Sequence, residues 1–279
     1  MLALLLATLS PSAQAGPWVK APGELYVKSG YVRFAADDFV DPAGETLTGS
    51  SYLGQTAHLY GEVGVVGPVQ AVFNLPFVGS RNVAGDATYI NRAFGDLDVG
   101  LEAGTRVADR VPVSLQVLAK VPLYDNGDLA QYGLAGGRFP AIGDGQLDLT
   151  AMLAVGSGVQ LGGFRGFVAA EAGYRHRTER WVGDSSEPDR ELVDGVPWHL
   201  QVGWSPTFGD WQAGWWSVDA WAIQNFQESD NTKEWIQLAT SLGINVAPGV
   251  ALELGASQMV WGRATSIGRS LLAGVSVTR

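Results

Sequence analysis

The chain has 279 residues, no Cys, 28 acidic against 18 basic side chains and a formal net charge of −10. The absence of Cys excludes a disulfide framework and thiolate metal sites, and the negative charge excludes nucleic acid as a partner, because phosphate binding needs basic patches. Hydrophobic residues make up 46 % of the chain, yet no run approaches the roughly 18–20 apolar residues of a membrane helix.

The first stretch, residues 1–15, reads MLALLLATLSPSAQA. Leu2 to Leu9 form a short apolar core, Ser10-Pro11 breaks it, and Ala13-Gln14-Ala15 is an A-x-A cleavage site. A secretory leader is therefore expected over 1–15, with 16–279 as the mature domain. No Lys or Arg precedes the apolar core, which departs from the usual form.

From there the chain alternates with period two, the signature of strands. Strands are predicted at 24–35, 56–66, 69–79, 96–107, 111–123, 146–158, 164–178, 198–207, 211–225, 234–245, 250–261 and 269–278. The second sets His58, Tyr60 and Glu62 against Leu59, Val63 and Val65; the fourth sets Asp96, Asp98, Glu102 and Arg106 against Leu97, Val99, Leu101 and Val107. Later strands repeat the division, with Lys120 against Val121, Asp148 against Leu149, Glu171 and Arg175 against Ala172 and Tyr174, and Glu253 against Leu254. The ninth, WQAGWWSVDAWAIQNF, is less regular and suggests a bulge.

The connections alternate too. Short ones fall at Gly67-Pro68, Asp109-Arg110, Gln160–Gly163, Phe208–Asp210 and Ala247–Gly249, all with the Gly, Pro or Asp of tight hairpins. Longer polar ones are 36–55, 80–95, 124–145 and 179–197, with shorter examples at 226–233 and 262–268. A soluble sandwich has no reason to make every second loop long. An outer-membrane barrel has one, since its periplasmic turns are short and its outward loops long. The expected fold is thus all-β: a transmembrane, antiparallel up-and-down β-barrel of about 12 strands in the bacterial outer membrane. Trp181, Trp198, Trp235 and Trp261 near long loops, and Trp204 and Trp211 near a short turn, fit two aromatic girdles.

The stretch GDLDVGLEAGTRV (95–107) carries a G-D-aliphatic-x-aliphatic-G signature. It resembles outer-membrane transporter-like barrels of the phenol-degradation (MetA-pathway) and long-chain fatty-acid channel relatives. LYGEVGVVGPVQAVFNLPFV (59–78), a hairpin ending in Leu-Pro, has a similar look. The resemblance spans 56–107 and implies passage of small solutes, hydrophobic ones included. Fatty-acid channels also carry an N-terminal hatch and fourteen strands, whereas fewer than ten residues separate Ala15 from the first strand here, so no hatch is expected. The last strand, LLAGVSVT, alternates as expected of one read by the outer-membrane assembly machinery, although Arg279 follows it where such barrels usually end in an aromatic.

In a barrel the charged faces line the lumen. Acids on them are Glu62, Asp96, Asp98, Glu102, Asp148, Glu171, Asp219 and Glu253, against five bases, Lys28, Arg106, Lys120, Arg165 and Arg175. The residues expected to line a transport path are Lys28, Glu62, Asp98, Glu102, Lys120, Asp148, Glu171 and Arg175. The acid excess predicts a weak cation preference if the pore conducts. The alternative is that these charges pair across a closed lumen, leaving a structural or surface-adhesion barrel whose acidic loops act. Loop 124–145 is the candidate to fold over the mouth.

The histidines are His58, His176 and His199, none beside a recognisable nucleophile motif, so no enzyme activity is expected. The acidic stretches 37–45, 125–128 and 183–195 lack EF-hand spacing, and no Walker loop, dinucleotide fingerprint or zinc motif occurs. No cofactor or metal is expected. Expected partners are membrane lipid, lipopolysaccharide, small solutes and the assembly machinery.

Overall fold

The computed structural model describes residues 16–84, 86–108, 110–124, 142–161, 164–181, 192–208, 211–228 and 232–279. The expected leader (1–15), most of the candidate cap at 124–145 and about half of the expected loop 179–197 lie outside the described residues.

The strands are β1 (Leu25–Val40), β2 (Thr46–Val66), β3 (Val69–Ala84), β4 (Ala87–Phe94), β5 (Asp96–Val107), β6 (Val111–Pro122), β7 (Gln146–Leu161) and β8 (Phe164–Trp181). They continue as β9 (Gly195–Ser205), β10 (Thr207–Phe208), β11 (Trp211–Gln212), β12 (Gly214–Asn225), β13 (Glu234–Ala247), β14 (Val250–Arg263) and β15 (Thr265–Thr278). The upper part of β3 pairs with β4 (Phe77↔Phe94) and its lower part with β5 (Asn74↔Asp98), so β4 and β5 share one place in the ring. β10 and β11 form a separate two-stranded ribbon. Every other neighbour in chain order pairs antiparallel, β1 pairs with β15 (Lys28↔Ser276), and the sheet closes as a twelve-stranded barrel.

Closure is the physical answer to a lipid setting, where an open sheet edge would leave unsatisfied backbone groups. Burial confirms the setting, because it is the reverse of a water-soluble core. Leu101, Leu153, Leu254 and Leu271 are more than half exposed on the outer wall, while Asp148 and His199 are fully buried inside. Apolar side chains face the bilayer and polar ones the lumen.

The extra-membrane parts correct the expected loops. Residues 36–55 and 80–95 are largely strand: β1 and β2 stay paired up to Val40↔Thr46, and β3 and β4 up to Ala84↔Ala87. Beyond the bilayer both faces meet water, so the apolar alternation lapses while the backbone ladder continues. The β1–β2 tip is closed by Asp41, whose carboxylate accepts from the Glu45 N–H at 2.8 Å. Likewise 262–268 is a tight connection through Ala264 in the left-handed region. The irregular ninth strand is broken at Ala213, between β11 and β12.

Both ends of the barrel chain lie at the short-turn side, where the Leu25 N–H donates to the Arg279 carbonyl at 2.8 Å. By the usual orientation this side is periplasmic. No hatch is expected before β1, and the short stretch that precedes it nonetheless enters the barrel. Residues 16–24 run inside the wall across this end. The Lys20 N–H donates to Gln70 Oε1 at 2.7 Å, Lys20 Nζ lies 3.5 Å from Glu62, and Trp18 meets Phe167 edge-on at 5.7 Å between ring centres. Small residues make room: an added Cβ on Gly156 would come within 2.9 Å of Pro17 Cγ and of the Trp18 ring. With two prolines and no alternation, GPWVKAPGE carries no periodic signal by which a sequence reading could place it.

Candidate functional site: the luminal cavities

Inward positions of successive strands bring the charged residues to one interior. Among the described residues it holds cavities of about 440 Å³ and about 410 Å³. Tyr60, Glu62, Asn74 and Trp221 line both, so the two cavities adjoin at these side chains. The first cavity holds Lys28 and Glu253 and is rich in hydroxyls and amides, among them Gln201, Ser217 and Ser257. The second holds Asp98, Glu102, Lys120, Glu171 and Arg175, beside apolar side chains such as Val72, Leu118, Met152 and Ile223.

The eight residues expected on a transport path all sit on inward positions, but in different settings. Lys28 is ion-paired to Glu253, which also accepts from the Tyr26 hydroxyl at 3.3 Å. Glu62 accepts from the Tyr60 hydroxyl at 2.7 Å. Asp98 accepts from Asn74 at 3.3 Å, and Glu102 accepts from Gln70 at 2.8 Å and Gln116 at 3.4 Å. Lys120 lies 2.6 Å from Asp144 and 2.8 Å from Asp148, and Arg177 joins the same two carboxylates. Asp148 is sealed beneath these cations and lines neither cavity. Glu171 faces His199, and Arg175 lines the second cavity.

Asp144 stands at the loop-side mouth, outside the strands. Burial alone would raise its pKa, but Lys120 and Arg177 hold the carboxyl far below the usual carboxylate range.

Several contributors were not singled out from the sequence. His199 is held between Glu171 (Nδ1 to Oε1, 3.4 Å) and Asp219 (Nε2 to Oδ1, 3.1 Å), and Gln201 donates to Asp219 at 2.7 Å. Its ring stacks on Trp221 at 3.5 Å between centres. Ser217 donates to Asp219 at 2.9 Å, so its hydroxyl serves the carboxylate that anchors the histidine. Parity could have found this cluster: in WHLQVGWS, His199 and Gln201 alternate with Leu200 and Val202, and Trp221 shares parity with Ser217 and Asp219. Arg177 and Asp144 could not be found that way, since their meeting with Lys120 depends on the β6–β7–β8 register.

The tryptophans divide. Trp204 and Trp216 stack at 4.9 Å on the outer wall by the short-turn end, and Trp261 is exposed near the loop end, as girdles require. Trp235 instead lines the second cavity, a correction to its expected outer place, and Trp198 lines both that cavity and an outer groove over Leu153 and Leu200. The β8–β9 ladder explains the latter. It passes from Ala172↔Trp198 to Arg175↔Gly195, next to Pro197, which has no N–H to donate. Trp181 and Trp211 have side chains outside the described residues.

No family model matches the chain, and no curated protein matches it by sequence. Solved structures do. An outer membrane channel from Pseudomonas putida F1 is similar over 96% of this chain and 99% of its own, with 12% identity and a TM-score of 0.69. The translocator domain of the autotransporter NalP from Neisseria meningitidis is similar over 96% of this chain and 90% of its own, with 11% identity and a TM-score of 0.50. At such identity the likeness is one of fold. The chain has the fold of outer-membrane β-barrels.

Proposed function

We propose that the chain is a non-enzymatic outer-membrane channel for passive passage of small solutes through a charged lumen. The observation that carries this reading is the pair of luminal cavities that adjoin at Tyr60, Glu62, Asn74 and Trp221, in which charged and aromatic side chains face open space rather than filling it. The fold similarity to an outer membrane channel supports it. The apolar side chains of the second cavity suit solutes with a hydrophobic part, and the carboxylates favour cations over anions. Lipopolysaccharide around the loop end and the assembly machinery acting on the last strand belong to the same proposal.

The rival reading is a structural or adhesion barrel with a closed lumen. Residues 16–24 across the short-turn end and the luminal ion pairs favour it. Single-channel recording of protein folded in a planar bilayer separates the two. Discrete steps, with a reversal potential that moves toward anion selectivity in Asp98→Asn and Glu102→Gln, support the channel. A silent bilayer from protein whose gel migration is heat-modifiable supports the closed barrel.

A further inference from the structure

The outer wall of β15 and β1–β4 carries charge of one sign. Lys28, Val32, Asn74, Ser270 and Leu272 line the cavities, so residues of the other parity on those strands face outward. Tyr31, Ala57, Phe77 and Phe94 lie level across β1–β4 on the outside. Phe77 meets Phe94 edge-on at 5.5 Å between ring centres. These aromatics end the apolar band on this side, as side chains do at a membrane interface.

The next rungs toward the loops hold arginines. Arg33 on β1 lies opposite Leu271, and Arg269 on β15 lies opposite Ala35, so the two are diagonal neighbours. Arg81 on β3 and Arg92 on β4 stand in the same relation, opposite Ile90 and Gly79. Arg92 leans across β3, since an added Cβ on Gly79 would lie 3.6 Å from its Cγ. Arg269 donates from Nε to Gln258 at 2.8 Å, which orients its guanidinium. All four arginines are exposed. None forms an ion pair with Asp or Glu among the described residues, although Asp37 and Asp38 are exposed farther out on β1.

Diagonal neighbours across a strand pair are about 7–8 Å apart, within joint reach of one ligand group. Strands are about 4.8 Å apart, so the two arginine pairs, with β2 between them, are centred about 14 Å from each other. Guanidinium forks match phosphate geometry. On a chain of net charge −10, four unpaired cations on one sector repel one another unless an anion covers them.

We infer that this sector is a docking surface for the lipid A part of lipopolysaccharide, one phosphate on each arginine pair and the acyl chains on the apolar wall below. Lipid A carries a phosphate at each end of its disaccharide, whereas a phospholipid brings one phosphate and inorganic phosphate brings no chain for the apolar shelf. With the short turns periplasmic, the arginines stand at the outer leaflet. The inference rests on the outer-membrane reading and gives the proposed lipopolysaccharide contact its residues; conduction does not enter it.

The test titrates protein folded in detergent with purified bisphosphoryl lipid A and follows bound lipid by native mass spectrometry. Heat-modifiable migration first establishes that the protein is a folded barrel. Arg33→Gln/Arg92→Gln takes one guanidinium from each pair and is expected to weaken binding at least about tenfold. Arg110→Gln/Arg180→Gln removes the same charge away from the patch and should change affinity by less than about twofold. For the unsubstituted protein, dephosphorylated lipid A and phosphatidylglycerol should bind at least about tenfold more weakly than bisphosphoryl lipid A. Equal affinity of the two double variants overturns the inference. So does unsubstituted protein that binds either comparison lipid as well as it binds lipid A, a result that needs no variant to fold. A silent planar bilayer would remove the channel reading and leave this surface untouched.

Discussion

Single side chains in this lumen act through their partners, so substitutions that orphan a partner have the largest effects. Lys28→Met removes the cation from Glu253, whose side chain is 1% exposed, and leaves it the Tyr26 hydroxyl as hydrogen-bond donor. Breaking a buried pair in this way costs about 3–5 kcal/mol. The expected value is near the lower end because the Lys28 side chain still meets luminal solvent, and urea unfolding in lipid vesicles measures it. Asp144 sets the acid limit of the loop-side mouth. Its folded-state pKa lies below its unfolded value, so its contribution is complete above the ordinary carboxylate range of about 4. It declines as pH falls below that range and is gone once pH has passed the depressed folded value. The stability gap between the unsubstituted protein and Asp144→Asn should therefore be constant at neutral pH and shrink below about pH 4. Heat-modifiable migration after incubation across that range reads it.

At the scale of elements, the segment 16–24 and the strand faces obey different rules. The strands are held by ladders and by lipid, whereas the segment is held by a few contacts to Gln70, Glu62, Phe167 and the small residues beneath it. Gly156→Val would place a branched side chain where Pro17 and Trp18 lie, with the first added carbon already 2.9 Å from Pro17. The barrel has no need of Gly156, so the variant should fold, lose the segment's docking and show higher single-channel conductance. Unchanged conductance would mean that the segment does not limit flow.

For the whole molecule, the bilayer decides which surface tolerates charge. Leu254→Arg, on the outer wall of β14, should cost about 2–4 kcal/mol if it lies near mid-depth. Leu47→Arg is equally exposed but sits on the β1–β2 extension beyond the membrane, and should cost under about 1 kcal/mol. Paired unfolding measurements in vesicles check both values. Equal costs would remove the lipid boundary from between them.

Sequence alone determined the barrel, because each strand must show one face to lipid and one to a wet interior, and that demand writes period two into residues such as those of GDLDVGLEAGTRV. The inward placement of Glu62, Glu102 and Glu171 followed from the same parity. Parity fails where the two faces meet the same solvent, as in 46–52 and 80–94, and strand there carries no period-two signal. Tertiary structure decided what alternation cannot encode. Lys120 meets Asp144 and Arg177, and His199 meets Glu171, Asp219 and Trp221, only because closure and register bring distant strands level. The segment 16–24 occupies the lumen for a non-local reason as well: its fit depends on Gln70, Gly156 and Phe167, contributed by three different strands.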